Sequence, residues 1–207
     1  MNCAKYAHKR DQQRATWLRE LPPWVPYYHV VGRPHQPDEF VVDEGDRMLY
    51  VKTADTYMAL PQKVVAAFAA AMLQMQVDYI FKTDDDQMMV SPPAKFFGVL
   101  RTCIEAKRPN YGGFVVDIKT PHISQYYRIH KELPHDIVMR VGRYCNGRFY
   151  ILSAAAVAEL IKHRADFANE VFEDYAVGRY IPDMMKEPIM EIATLKNFHD
   201  MSGNIIE

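Results

Sequence analysis

The stretch VDYIFKTDDDQMMV, residues 77–90, decides the fold class of this chain, because an apolar, strand-like run ends there in three consecutive carboxylates. Ligands of open α/β sheets bind beyond the carboxyl ends of the strands, which is where Asp84, Asp85 and Asp86 would lie. Carboxylates this close repel one another without a cation, and their oxygens suit hard ions such as Mg2+ and Mn2+. Taken alone, the triplet is compatible both with a cation site and with a solvated acidic turn.

The direction of the three side chains favours a site. Residues 77–82 are predicted to form the central strand of a sheet, and the acids follow it directly. If the backbone stays extended, Asp84 and Asp86 face one way and Asp85 faces the other. Two carboxylates can then converge on one ligand.

The composition limits the classes of function that the chain can serve. Its 207 residues carry a formal net charge of -1, so there is no basic excess to bind nucleic acid or an anionic membrane. The length favours a single domain over residues 1–207. The most apolar stretch, residues 64–73, is too short to span a bilayer, and the polar start lacks the apolar region of a signal peptide.

The cysteines indicate a reducing compartment. Cys3, Cys103 and Cys145 are odd in number and widely spaced, which predicts unpaired thiols in a soluble, cytoplasmic protein. A truncated lumenal Golgi enzyme would have the same composition. The oligomeric state is not fixed by these features.

Strand candidates alternate with helical stretches, a pattern typical of an α/β sandwich with a mostly parallel sheet. Residues 120–140 lack a clean periodicity and are predicted to form a mobile or substrate-facing loop. Ser153 is the predicted N-cap of the fourth helix. The predicted helices are 9–20, 61–76, 91–107 and 154–164, and the predicted strands are 27–32, 48–52, 77–82, 111–117 and 149–152.

Five segments share an order known from one enzyme family. They are RDQQRATW at 10–17, DTYMALPQK at 55–63, FKTDDD at 81–86, RYCNGRFYILS at 143–153 and FEDYAVG at 172–178. They resemble the early arginine and Thr-Trp motif, the Asp-x-Tyr-x-x-Leu-x-x-Lys segment, the metal-binding DxD strand, the Tyr-x-x-Gly-x-x-Tyr-x-x-Ser segment and the Glu-Asp-Val-x-x-Gly motif of the inverting β-1,3-glycosyltransferases. That family includes β-1,3-galactosyl- and N-acetylglucosaminyltransferases and the fringe enzymes.

The resemblance implies a GT-A type α/β fold, with a mixed, mostly parallel sheet flanked by helices. It also implies a metal-dependent transfer of a hexosyl or pentosyl group from a UDP-sugar onto a hydroxyl of a glycan acceptor, with a β-linkage. Mn2+ or Mg2+ would be the cofactor. By the same resemblance, Asp86 is the direct metal ligand, Asp84 reaches the ribose or the water shell of the metal, and Asp85 orients the site.

The resemblance assigns the second half of the reaction to helix-forming residues later in the chain. Asp174 matches the family's catalytic base, and Glu173 beside it would hold the acceptor or orient the loop. The alternative is that both acids only complement the charge of a helix N-terminus. His199 would be a last metal ligand, with Asp200 as the fallback, although a surface or core histidine is an equally good interpretation.

Further residues are candidates for contacts with the nucleotide and the sugar. Lys82, Arg10 and Arg14 could offer charge to a diphosphate, or form ordinary salt bridges. Gly147 would let the backbone approach the sugar closely, next to Tyr144 in the same motif. Trp17 is predicted to pack in the core. Tyr126 and Tyr127 could stack on sugar rings or be buried against the sheet.

The sequence also departs from the family pattern. The family begins with a strand ahead of the arginine motif, whereas Met1 falls almost on that motif, so the first strand is expected to be short or missing. EDY replaces EDV at 173–175, and QMM follows the acids at 87–89. Two rival functions are a non-catalytic nucleotide- or glycan-binding domain and a metal-dependent phosphate-ester hydrolase.

Overall fold

Helices and strands alternate along the part of the chain that the computed structural model describes, residues 1 and 3–201, which confirms the mixed α/β class. The helices are α1 (Ala7–Ala15), α2 (Leu60–Gln74), α3 (Pro93–Lys107), α4 (Ala154–Lys162), α5 (Arg164–Phe167), α6 (Glu173–Tyr180), α7 (Asp183–Lys186) and α8 (Thr194–Asn197). The strands are β1 (His29–Gly32), β2 (Phe40–Asp43), β3 (Met48–Val51), β4 (Tyr79–Thr83), β5 (Gln87–Met89), β6 (Tyr111–Ile118), β7 (His122–Ile123), β8 (Val138–Met139), β9 (Gly142–Ser153), β10 (Met190–Glu191) and β11 (Phe198–Asp200).

The longest strand, β9, lies inside the larger sheet, whose order is β10-β6-β9-β4. It runs antiparallel to both β4 and β6. Across the strands of residues 1 and 3–201, five pairings are antiparallel and two are parallel, so a mostly parallel sheet is not confirmed. The strand predicted to be central, β4, lies instead at one end of this order. An apolar run identifies a buried strand but does not set the direction of its neighbours.

Side chains of β9 alternate between two buried clusters, one on each face of the sheet. Tyr150 and Leu152 pack with residues of α2, α4 and α6, whereas Phe149 and Ile151 pack with residues of α3 and with Trp17. The larger sheet is therefore covered on both faces. This pleat directs every second side chain of β9 toward α6, the helix that begins with Glu173.

Local signals set several helix starts where the sequence predicted them. Ser153 caps α4, because its hydroxyl oxygen accepts a hydrogen bond from the Ala156 N–H at 3.1 Å. Pro61 lies in the first turn of α2, where its missing N–H is tolerated. Ser91 differs, since its hydroxyl donates to the Asn197 side chain at 2.6 Å rather than capping α3.

Two predicted segments divide into smaller elements. The helix expected at 9–20 consists of α1 followed by a 3-10 turn, Trp17–Glu20. Residues 120–140 contain a 3-10 turn, Tyr126–Arg128, and the paired strands β7 and β8, so this loop is partly regular. None of the helices within residues 1 and 3–201 has the length and apolar character needed to cross a membrane.

Candidate active site

Helix α1 holds the turn that carries the three aspartates. Gln13 is buried, and its side-chain N–H2 group donates at 3.0 Å to the carbonyls of both Asp84 and Gln87. Trp17 lies one helical turn further on, and its indole N–H donates to the Gln87 carbonyl at 3.1 Å. The two donors therefore fix the backbone on either side of Asp85 and Asp86. Trp17 is also buried in the core, as predicted.

Asp85 and Asp86 form a turn between β4 and β5, so the backbone through the three acids is not extended, and the acids differ in exposure. The side chains of Asp84 and Asp86 are 35% and 38% exposed, whereas that of Asp85 is 14% exposed. Lys9 approaches Asp85 at 3.7 Å and Asp86 at 3.8 Å. Burial raises the pKa of Asp85, and the charges of the two flanking aspartates act in the same direction.

The exposed carboxylates suit a divalent cation in their chemistry. Within residues 1 and 3–201, no group of three or more His, Cys, Asp or Glu side chains is arranged to hold a metal ion. A hard ion such as Mg2+ needs only one or two carboxylates, since water and substrate phosphates complete its coordination shell. Asp84 and Asp86 present oxygen donors to solvent and therefore fit such an ion.

Lys82 forms the centre of a buried polar network. Its ammonium donates to Asp84 Oδ1 at 2.6 Å, to the Gly147 carbonyl at 2.9 Å and to Glu173 Oε2 at 3.0 Å. The strand register places Lys82 opposite Tyr150, and the Tyr150 hydroxyl donates to the other oxygen of Glu173. Burial alone would lower the pKa of Lys82, but the charges of Asp84 and Glu173 outweigh it and raise that pKa.

This network contains two residues that the sequence offered for substrate binding. Glu173 is buried, and both of its oxygens accept hydrogen bonds within the protein. Lys82 is buried as well, and its ammonium donates to acceptors within the protein. The sequence could not predict these contacts, because the spacing between β4 and α6 depends on tertiary packing.

Asp174 differs from Glu173 in its surroundings. Its Oδ2 accepts from the Gly147 N–H at 2.9 Å and its Oδ1 from the Tyr175 N–H at 2.8 Å. Burial, followed by repulsion from Glu173, raises the pKa of Asp174 to about 7, against the opposing effects of Lys82 and the two N–H donors. A carboxyl with a pKa near neutrality can accept a proton at physiological pH.

Asp84 and Asp174 converge on one glycine. A Cβ atom built on Gly147 would lie 3.2 Å from Lys82 Nζ, 3.3 Å from Asp84 Oδ2 and 3.4 Å from Asp174 Oδ2. These two acids come from motifs far apart in the sequence. Gly147 is needed here because its hydrogen leaves space between their carboxylates.

Aromatic side chains surround Asp174 on another side. Tyr57 stacks on His130 with ring centroids 4.1 Å apart, and Tyr126 lies nearly parallel to the same imidazole at 6.3 Å. In Tyr57, Tyr126 and Tyr144, burial raises the pKa first and the charge of Asp174 second. We call Tyr57, Tyr126, His130 and Tyr144 the aromatic wall. It carries ring faces and hydroxyl groups whose pKa values respond to the charge of Asp174.

Of the adjacent pair Tyr126 and Tyr127, Tyr127 packs against other side chains of the protein, which is one of the two roles predicted for this pair. It stacks on His135 with ring centroids 4.3 Å apart. It also packs against a buried cluster that includes Leu133 and Met139. Tyr126 is 47% exposed and is the more exposed of the two tyrosines.

The last strand brings Asp200, rather than His199, toward the acids. Gln87 is buried, and its side-chain N–H2 group donates to Asp86 Oδ1 at 3.0 Å and to Asp200 Oδ1 at 2.6 Å. Arg148 forms an ion pair with Asp200 at 3.2 Å. Residues alternate along β11, so the exposed His199 projects from the opposite face. The structure thus places Asp200, the alternative to His199, in the hydrogen-bond network of the acids, whereas His199 projects away from it.

Arg10 and Arg14 lie on another stripe of α1. Arg14 donates to the Asp46 carbonyl and approaches the Met48 sulfur at 3.5 Å. Arg10 pairs with its neighbour Asp11 at 2.9 Å and also approaches Met48. Both arginines therefore face the smaller sheet, and the structure does not bring them together with the acids.

Residues 55–63 contribute both to the fold and to the candidate site. Asp55 accepts hydrogen bonds from Lys63 at 2.7 Å, from the Gly32 N–H at 3.0 Å and from the Ala4 N–H at 2.7 Å. This carboxylate therefore ties the start of the chain and β1 to α2. Tyr57, two residues on, belongs to the aromatic wall.

Sequence reasoning missed the supporting residues Lys9, Gln13, Gln87 and Tyr150. One available signal was the spacing of residues 9, 13 and 17, which places them on one face of a helix. Tyr150 was quoted within a motif, but its hydroxyl partner could not be read from the chain. Gln87 directly follows the acids, and its role depends on β11, more than a hundred residues away.

Comparison with known proteins supports the resemblance noted in the motifs. A family model described as Galactosyltransferase matches residues 8–189. The matched range contains the acid turn, β9 and the start of α6, whereas β11 lies beyond it. A search of curated proteins gives no match. Since the family model covers most of the 207 residues, the chain belongs to the galactosyltransferase family.

Proposed function

We propose that this protein is a metal-dependent, inverting glycosyltransferase of GT-A type, which moves a sugar from a UDP-sugar onto a hydroxyl of a glycan acceptor with a β-linkage. Membership of the galactosyltransferase family supports glycosyl transfer. The observation that carries the finer proposal is the convergence of Asp84 and Asp174 on Gly147. One acid belongs to a cation-suited turn, and the other has the pKa of a general base.

The donor side of the reaction would use the acid turn. Asp86 would hold Mn2+ or Mg2+ directly, and Asp84 would reach the ribose or the water shell of the metal. The ion would act as a Lewis acid on the phosphates of the departing nucleoside diphosphate. Asp200 lies next to Asp86 through Gln87 and would complete the acidic surroundings of the ion.

The acceptor side would use Asp174 as the general base. The N–H groups of Gly147 and Tyr175 hold its two carboxylate oxygens, so the orientation of the carboxylate is set before substrate binds. The acceptor hydroxyl would lose its proton to Asp174 as its oxygen bonds to the anomeric carbon, and the nucleoside diphosphate would leave from the opposite side of that carbon. A base of pKa about 7 is matched to this task at neutral pH.

The aromatic wall would bind the acceptor sugar. Tyr126 is exposed beside Asp174, and the ring faces of tyrosine and histidine suit the apolar face of a sugar ring. Tyrosine hydroxyls can also bond to sugar hydroxyls. Acceptor recognition would therefore fall to residues 120–140 together with Tyr57.

The test is a panel of nucleotide-sugars with Mn2+ or EDTA, followed by thermal melting and by release of UDP in the presence of glycan acceptors. We expect a UDP-sugar to raise the melting temperature only with metal, and to be consumed in transfer. Asp86→Ala should abolish metal-dependent binding. Asp174→Asn should keep binding and lose transfer, while the exposed Asp38→Asn serves as the matched control.

Other outcomes would separate the rival functions. Binding of UDP without sugar transfer or release would support a non-catalytic binding domain. Release of phosphate from simple esters would support a hydrolase. If no UDP-sugar bound with metal, the proposal would be refuted.

A further inference from the structure

The hydrogen bonds of Lys82 account for its whole donor capacity. An ammonium group carries three N–H donors. Asp84, Gly147 and Glu173 accept one each, at 2.6, 2.9 and 3.0 Å. The side chain is 3% exposed, so these contacts are shielded from water. A phosphate contact would therefore require Lys82 to give up one of its partners.

The three acceptors belong to three different elements. Asp84 follows β4, Gly147 lies within β9, and Glu173 begins α6. Lys82 thus joins the end of the acid-bearing strand to the strand and helix that hold the base. The Tyr150 hydroxyl also donates to Glu173, so this carboxylate has a second donor besides Lys82.

Gly147 connects Lys82 to the base. Its carbonyl accepts from Lys82 at 2.9 Å, and its N–H donates to Asp174 Oδ2 at 2.9 Å. Glu173 provides a second connection, because it is the residue before Asp174 and lies on the same turn of α6. A shift of Lys82 would therefore move Asp174 relative to Asp84.

We propose that Lys82 is a positioning residue, which sets the separation between the donor-side carboxylate Asp84 and the base Asp174 through Gly147 and Glu173, and which does not contact the diphosphate. This inference rests on the proposed glycosyl transfer. In an enzyme of this kind the acceptor oxygen, the anomeric carbon and the leaving phosphate must align. A displacement of about 1 Å lowers the rate about 10²-fold without a matching loss of binding.

The first variant is Lys82→Met. Positioning predicts that kcat falls about 10²-fold, whereas the affinity for UDP with Mn2+ changes less than about threefold. A diphosphate contact would instead lower that affinity about tenfold or more, because charge-assisted hydrogen bonds are among the stronger ones. Such a loss of affinity would overturn the proposal.

A second variant addresses folding, because Lys82→Met leaves Glu173 buried without its cation. Lys82→Met/Glu173→Gln removes both charges of the buried Lys82–Glu173 pair and so keeps the net charge of the junction at its wild-type value, and Tyr150 can still donate to the glutamine carbonyl. If Lys82 only balances charge, the double variant recovers both melting temperature and kcat, which would contradict the proposal. If Lys82 positions Gly147, the double variant recovers stability but kcat stays about 10²-fold low.

The chain offers a matched control in another buried pair. Lys63 is 3% exposed and bonds to Asp55 at 2.7 Å, away from Gly147. We expect Lys63→Met/Asp55→Asn to change the melting temperature but to keep kcat within about threefold of wild type in the folded fraction. A wild-type protein that transfers no sugar refutes the proposed function and this inference together. Normal transfer by the Lys82 variants overturns the inference alone.

Discussion

Replacing Gln13 with leucine removes the side chain that holds the acid turn from α1, while nearly preserving its volume. Gln13 is 2% exposed, and its two hydrogen bonds of 3.0 Å reach the carbonyls of Asp84 and Gln87. Leucine fits a helix as well as glutamine does, so the change acts on the turn rather than on α1. We expect lower stability and weaker binding of metal.

The magnitude follows from the two carbonyls. The Gln87 carbonyl keeps the indole donor of Trp17 at 3.1 Å, so the loss falls mainly on the Asp84 carbonyl. Leaving a buried acceptor without its donor costs about 1–3 kcal/mol. A cost of about 2 kcal/mol lowers the melting temperature of a chain of this length by about 4–8 °C. If bound metal must restore the turn, the affinity for Mn2+ falls by at most about 30-fold.

Gln12→Leu is the matched control, because Gln12 is the exposed neighbour of Gln13 on the same helix. Both variants are compared with wild type by calorimetric melting and by titration of UDP in the presence of Mn2+. Gln12→Leu should match wild type in both measurements. If Gln13→Leu melted and bound metal as Gln12→Leu does, the acid turn would not depend on α1 and this reasoning would be wrong.

Four further predictions concern Asp174 and the neighbouring Gly147. Asp174→Asn should lower kcat by about 10²–10⁴-fold with little change in UDP affinity, as measured by radiolabelled sugar transfer and calorimetry. Because burial raises the pKa of Asp174 from 3.8 to about 7, the wild-type kcat/KM should rise with pH until about 7. The same shift means that the folding stability contributed by Asp174 declines as pH rises from about 4 to about 7, since the folded state disfavours the ionised form. Melting curves of Asp174→Asn should lack this decline. Gly147→Ala should lower transfer at least about tenfold, because the new methyl group meets three polar atoms at 3.2–3.4 Å, whereas Gly142→Ala on the same strand meets no atom within 4 Å and should keep wild-type rates.

Helix α1 illustrates what the sequence could and could not predict about the site. The pattern at 9–20 predicted a helix correctly, and the paired arginines on it were predicted either to contact a diphosphate or to form ordinary salt bridges. A helix with one turn per 3.6 residues carries parallel stripes, and the stripe of Lys9, Gln13 and Trp17 turns out to face the acids. By charge, the arginines were the better candidates for a contact with a diphosphate. The docking angle of α1 turns the other stripe toward the aspartates, and Trp17, which is buried, belongs to that stripe.

The larger sheet was also predictable only in part from the sequence. Apolar runs located β4 and β6 within two residues, and the three acids do follow the end of β4, whereas the strand predicted at 149–152 covers only the end of β9. The direction of β9 was not predictable from its composition, because parallel and antiparallel neighbours both require buried strands. Strand β9 brings Gly147 beside Asp84 because it runs antiparallel to β4 and packs under α6. That residues 1–207 form a single domain stays a prediction.

The choice between His199 and Asp200 depended on register rather than on chemistry. Imidazole and carboxylate are both good metal ligands, so the sequence supported either residue. Phe198 is fully buried, which fixes the pleat of β11. Asp200, two residues later, then falls on the same face as Phe198 and reaches Gln87, while His199 is exposed.

Asp84 and Asp174 both approach Gly147 but differ in their surroundings. Asp84 bonds directly to the ammonium of Lys82, so its negative charge is compensated within the protein. The oxygens of Asp174 accept from the backbone N–H groups of Gly147 and Tyr175, and burial, followed by the charge of Glu173, raises the pKa of Asp174 to about 7. Carboxyl groups whose surroundings differ in this way divide the work of acid–base chemistry. In the proposed transfer, the acid turn would serve the cation, and Asp174, which meets Asp84 at Gly147, would accept the proton of the acceptor hydroxyl.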